Sequence, residues 1–264
     1  MSDAPVALSR EALQQILDDS HDRYNRPGFI EEDPISIPHM FSRREDIEIA
    51  GFLTALIAWG RRSSILASAH RLVRAMDMAP YEFVCHGSEE DWARLAGFVH
   101  RTFNGQDALA LIKALRRVYA TYGTLEGIFA EGLPPGSPDV GVAIVHAREV
   151  LASDPDFPAR THKHLANPAR GSSAKRINMF LRWMVRKDAR GVDFGLWSRI
   201  QPAQLICPLD VHTGNVARAL GLLTRKQNDW KAAQTLTGCL RAFCPEDPVR
   251  YDFSLFGLGV YGHL

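Results

Sequence analysis

The chain has 264 residues, 46% of them hydrophobic and 23% charged, with a net charge of +1. This composition fits a globular protein with a substantial core and excludes disordered and fibrous classes. No apolar run reaches the roughly 20 residues of a spanning helix, and the start MSDAPVALSREALQQ lacks a basic segment followed by an apolar one, so neither a membrane protein nor a secreted one is expected.

In chain order, apolar residues recur at helical spacing. Ile47, Phe52, Leu53, Leu56 and Ile57 share one face, and SSILASAHRLVRAM repeats the pattern. DALALIKALRRVYATYG is a third helix that stops at Gly123. LPPGSPD, from Leu133 to Asp139, breaks the pattern. DVGVAIVHAREVLAS follows, then a second breaker, NPARGSS, and the amphipathic SAKRINMFLRWMVRK. DWKAAQTLTGCLRAF opens on Asp229, a favourable cap, and FSLFGLGVYG reads as a packed helix with a glycine stop. Strand alternation is weak and no Asn-Gly or Asp-Gly hairpin turn lies between β-rich runs. An all-α, many-helix fold is expected. Residues 1–44 form an N-terminal segment packing on the core, and residues 45–264 a helical domain with two lobes and a cleft.

Charge is uneven. From Arg160 to Arg190 nine basic residues face the single acid Asp188. The segment reads either as a solvated helix face or as a basic face for phosphate, with Arg176, Arg182 and Arg186 as candidate contacts. The four cysteines (Cys85, Cys207, Cys239 and Cys244) are scattered with no C-x-x-C pair, which suits free thiols in a reducing cytoplasm and offers no metal framework.

Two stretches carry candidate chemistry. ARGSSAKRINMFLRWMV has a turn at Gly171 and then a helix with Lys175 near its start, where unsatisfied N–H groups suit a phosphate and a lysine is well placed to serve as an amine nucleophile. ICPLDVHTGNVARALGLL puts Asp210 at the start of an apolar helix, where a carboxylate is either a cap or a catalytic group. His212, two residues on, reads as a helix-surface residue.

PLDVHTGNVARALGL resembles the P-[IV]-D-T-H-V-x-R-V-A-x-R-L-G-L segment of helix-hairpin-helix DNA glycosylases, the superfamily of endonuclease III and 8-oxoguanine DNA glycosylase. RGSSAKRINMFL resembles the hairpin and following helix, P-G-V-G-x-K-x-A, and DIEIAGFLTALIAWGRRSSILASAHRL resembles the first core helices. The resemblance implies a helix-hairpin-helix glycosylase-like fold in which Asp210 is the catalytic carboxylate and Lys175 the Schiff-base nucleophile. It also implies that Gly171 and Ser173 belong to a DNA-binding hairpin and that Trp59 is a wedge in the gap left by an extruded base. Phe253 or Phe256 would stack on that base. Three departures stand out: Ser173 replaces the second hairpin glycine, Arg170 replaces the proline, and Trp59 replaces an amide. The iron–sulfur loop of endonuclease III has no counterpart, so no cofactor and no metal are expected. The whole chain also resembles an uncharacterised bacterial family catalogued as a domain of unknown function.

The implied activity is removal of a damaged base, an oxidised purine by the likeness of the Lys175–Asp210 spacing to archaeal 8-oxoguanine enzymes, together with abasic-site lyase activity. The partner would be double-stranded DNA containing a damaged base or an abasic site, with no obligate protein partner. The altered hairpin keeps a second reading open, a non-catalytic DNA-binding protein on the same scaffold.

Overall fold

Apolar residues at helical spacing, closed by side-chain caps, produce twelve helices in the computed structural model, which describes residues 8–262. In chain order they are α1 (Arg10–Tyr24), α2 (Arg44–Ile57), α3 (Arg62–Ala75), α4 (Pro80–His86), α5 (Glu89–Ala93), α6 (Gly105–Tyr122), α7 (Leu125–Glu131), α8 (Gly141–Leu151), α9 (Lys175–Val185), α10 (Val211–Ala219), α11 (Trp230–Arg241) and α12 (Asp252–Tyr261). Short 3₁₀ turns join many of them. Between α5 and α6 lies a hairpin, β1 (Val99–His100) antiparallel to β2 (Phe103–Asn104). The protein is therefore mostly helical, as its periodicity predicts. None of the described helices is long and apolar enough to cross a membrane.

The caps follow the sequence signals. Ser9, Asn104, Thr124, Asp210 and Asp229 each accept a backbone N–H in the first turn of their helices, and Gly123 ends α6 in the left-handed region at φ 72°. The hairpin lacks the expected Asn-Gly or Asp-Gly signal because its turn takes the left-handed conformation at Arg101, φ 54°.

Helix α2 lies at the centre. Every side chain from Ile47 to Ile57 is buried, and the helix packs against α9, with Phe52 edge-on to Phe180 at 5.5 Å. Gly51 allows the close approach: a Cβ there would lie 3.3 Å from the Met184 side chain. Glu48 has no exposure and faces α6, the start of α7 and Trp197, where its carboxylate is fully engaged. It accepts from Tyr119, Thr124, the Leu125 amide and Trp197, and pairs with Arg44. A buried charge is tolerated when it is paired and hydrogen-bonded in this way.

The buried apolar residues form one connected cluster from Leu17 to Leu255. Helix α1 packs on α12, which also packs on α10. The chain ahead of α2 therefore reaches the C-terminal helix, and on the way it supplies Phe29, Asp33 and Pro34 to the wall of the main cavity.

Candidate active site

Helix α9 begins abruptly. Ala174 takes the left-handed conformation at φ 50° and gives the helix no side-chain cap, which leaves Lys175 in the first turn. Helix α10 begins at Asp210, whose Oδ1 accepts the Thr213 N–H at 3.0 Å. Its other oxygen, Oδ2, lies 3.7 Å from Lys175 Nζ. Both side chains are about one-quarter exposed. The carboxylate is thus a cap with one oxygen and an ion-pair partner with the other.

This pair lines a half-open cavity of about 740 Å³. Trp59, Phe29 and Phe256 give it aromatic walls, and Pro208, Val211 and His212 border the same space. The size and lining suit a ligand with a flat apolar ring. Trp59 is held by its neighbours: it stacks on His164 at 5.8 Å, meets His100 edge-on at 5.1 Å and carries the Arg176 guanidinium 4.8 Å from its ring. Arg176 donates to the Leu56 carbonyl at the end of α2. Burial pulls its pKa down to about 10.

The buried floor is acid-rich. Asp33 is 7% exposed and Asp252 4%, and both line the cavity. Asp33 accepts the Ile35 N–H with Oδ1 at 3.0 Å, and burial pushes its carboxyl up. Burial raises Asp252 to about 6, even though Arg182 donates to its Oδ2 at 2.5 Å. Arg182 also pairs with Asp193, which in turn pairs with Arg186 at 2.5 Å, and Arg186 reaches Asp188 and Asp247.

The structure corrects three sequence-level expectations, those for Arg182, Arg186 and Phe253. Arg182 and Arg186 are 3% and 1% exposed and bound to aspartates, so neither belongs to an exposed basic face. Arg182 lies on the inner side of α9 and Arg186 caps its C-terminal end; burial opposes the charge of both, and Asp193 and its neighbours hold it. Phe253 has no exposure; it packs between Phe29 and the Arg182 guanidinium, and only Phe256 reaches the cavity. Gly171 is exposed and outside the cavity lining, with φ 84°. Ser173 is half-buried with Oγ 3.4 Å from the Leu209 carbonyl. Trp59 forms part of the cavity wall.

The sequence reading missed Phe29, Asp33, Arg62 and Asp252 as cavity residues. Asp252 carried a signal, an acid between Tyr251 and Phe253 at the head of an apolar helix. Among the described residues no group of three or more His, Cys, Asp or Glu side chains is arranged to hold a metal ion.

Fold and site define a class: a mostly helical protein with an aromatic-walled cavity in which a helix-start lysine meets a carboxylate above buried acids. A family model described as protein of unknown function (DUF2400) matches residues 33–261, and the chain belongs to that family. No curated protein and no solved structure matches it.

Proposed function

We propose that this protein is a DNA repair glycosylase with abasic-site lyase activity, taking a damaged base, of the oxidised-purine type, into the cavity. The observation that carries the reading is the Lys175–Asp210 contact at 3.7 Å in the wall of an aromatic cavity. The motif resemblance to helix-hairpin-helix glycosylases supports it, because the residues that match the family's nucleophile and carboxylate are these two.

An extruded nucleotide would stack its base against Trp59, Phe29 or Phe256, at an unstacking cost of a few kcal/mol that is least for a lesion. The Lys175 amine attacks C1′, forming the N–C1′ bond as the bond to the base breaks and its electron pair leaves with the base. As a carboxylate Asp210 stabilises positive charge developing on the sugar, and it then accepts the proton that the lysine nitrogen loses once the N–C1′ bond has formed. The nitrogen lone pair then opens the C1′–O4′ bond to an imine, and O4′ takes the proton held by Asp210. Loss of a C2′ proton then expels the 3′ phosphate, and water releases the lysine.

The test is borohydride trapping on duplexes bearing 8-oxoguanine, other damaged bases or an abasic site. Wild type should form a covalent adduct. Lys175→Gln should form none and keep its DNA affinity. Asp210→Asn, which still caps α10, should lose base release by at least about 100-fold and keep part of its trapping on the abasic site. DNA binding without trapping on any duplex would leave a non-catalytic DNA-binding protein.

A further inference from the structure

The cavity holds more acid than a lysine nucleophile requires. Asp210 is committed, with Oδ1 on the Thr213 amide and Oδ2 on Lys175. It is placed to accept a proton, whereas a departing base needs to receive one. Displacement at C1′ leaves an electron pair on the base, and a positioned acid that protonates a ring nitrogen as the bond breaks speeds such a step by about 10²–10⁴-fold. The acid must be neutral beforehand and must reach the cavity.

Asp252 reaches the cavity, and desolvation there favours its neutral form against the pull of Arg182 at 2.5 Å. It opens α12 from the buried side of the cavity, and its Oδ1 has no closer side-chain partner than the Cys207 sulfur at 3.9 Å. Its surroundings are crowded with charge. Arg182 and Lys175 face it from α9, Asp210 and Cys207 from the strand-like run before α10, and Asp33 from the segment ahead of α2 shares Arg182 with it. From α1, His21 lies edge-on to the neighbouring Phe253 at 6.0 Å, and Arg186 lies 5.6 Å from that ring. Desolvation is the leading influence and favours the neutral acid, as does the nearby Asp210 carboxylate, while Arg182 and Lys175 oppose them.

We propose that Asp252 is the catalytic acid of the reaction, giving its proton to a ring nitrogen of the base as Lys175 displaces it. The inference rests on the glycosylase reading and extends it. In the step, the Asp252 O–H bond breaks and an N–H bond forms on the base. The lone pair of Lys175 makes the new bond to C1′, and the pair of the broken C1′–N bond ends on the base. Asp210 removes the proton from the lysine nitrogen, and solvent returns one to Asp252 after the base departs. Two carboxylates in one cavity thus take opposite roles because Asp210 is one-quarter exposed beside Lys175, whereas Asp252 is buried.

The experiment measures single-turnover base release from duplexes carrying 8-oxoguanine, hypoxanthine, uracil or a methylated purine, from pH 5 to 8. Borohydride trapping on a pre-formed abasic duplex is measured alongside. Wild-type base release should fall about tenfold per pH unit on the alkaline side of a limb near pH 6. Asp252→Asn should lower base release at pH 6 about 100-fold or more and abolish that limb, while abasic-site trapping stays within about threefold of wild type. Asp252→Glu, which keeps the acid, should restore part of the rate and the limb. Equal losses of base release and trapping in Asp252→Asn, or base release with an unchanged limb, would overturn the inference and leave the glycosylase reading in place. Trapping by wild type on the abasic duplex with no base released from any substrate would overturn the inference and leave only the lyase part of the reading. No trapping by wild type at all would remove the reading and the inference together.

Discussion

At the scale of single residues, the same side chain often does two jobs. Asp210 is a helix cap through one oxygen and a lysine partner through the other, so neither sequence-level alternative for it excludes the other. Buried titratable groups also set the protein's response to acid. His21 is 3% exposed, donates from Nδ1 to the Arg250 carbonyl, and is pulled by burial down to about 4. The unfolded chain binds a proton there near its ordinary value of 6.5, so the stabilisation is intact above that pH and is lost as pH falls towards 4. Asp252 acts in the opposite sense: raised to about 6 from 3.8, its stabilisation is full below 3.8 and is lost as pH rises through 6. Each contribution is on the order of 3 kcal/mol, and the two offset each other between pH 4 and 6.5. Asp252→Asn removes only one of them. Its unfolding free energy in urea, relative to wild type, should therefore fall by about 3 kcal/mol on acidification across that interval. Parallel curves for the two proteins would contradict this balance.

At the scale of elements, α9 organises the molecule. One end presents Lys175 and Arg176 to the cavity, its middle packs Phe180 and Met184 on α2, and its buried Arg182 and Arg186 cross-link α12 and the segment after α9 through aspartates. Helix periodicity and caps made α2, α3, α6, α8, α9, α10, α11 and α12 legible in the sequence. The direction in which α9 faces was not. A run of arginines reads as solvent-facing unless its counter-ions are known, and Asp193, Asp247 and Asp252 come from 7 to 70 residues away. The β1–β2 hairpin escaped for a local reason, its two-residue strands and an arginine in the left-handed turn position. Arg186→Ala should destabilise the protein by about 3–5 kcal/mol, because it leaves Asp247 without its cation and Asp193 with only one of its two. Thermal or urea unfolding measures this. A substitution without effect on stability would mean that the buried network is not what holds α9 in place.

At the scale of the whole molecule, the cavity is assembled from distant parts of the chain: the segment ahead of α2, the α2–α3 junction, the start of α9, the start of α10 and α12. The Lys175–Asp210 pair could be anticipated because each residue starts a helix within a recognisable motif. Asp33 and Phe29 could not, since only tertiary packing brings the N-terminal segment to the site. The cationic rim also differs from the basic segment of the sequence. Gly60 and half-buried Arg62 line the mouth beside exposed Arg61, and the Arg101 guanidinium lies over Gly60, where a Cβ would come within 2.4 Å of it. If this rim grips phosphate, the double variant Arg61→Gln/Arg101→Gln should flatten the log–log salt dependence of DNA affinity by about 2. An unchanged slope would place the phosphate contacts elsewhere. The central claim, that Lys175 is the nucleophile, has a direct chemical readout. Of the six lysines only Lys175 lines the cavity. Peptide mapping by mass spectrometry of the borohydride-reduced adduct with abasic DNA should find the sugar remnant on Lys175 alone. A remnant on any other lysine or on the N-terminal amine would contradict it.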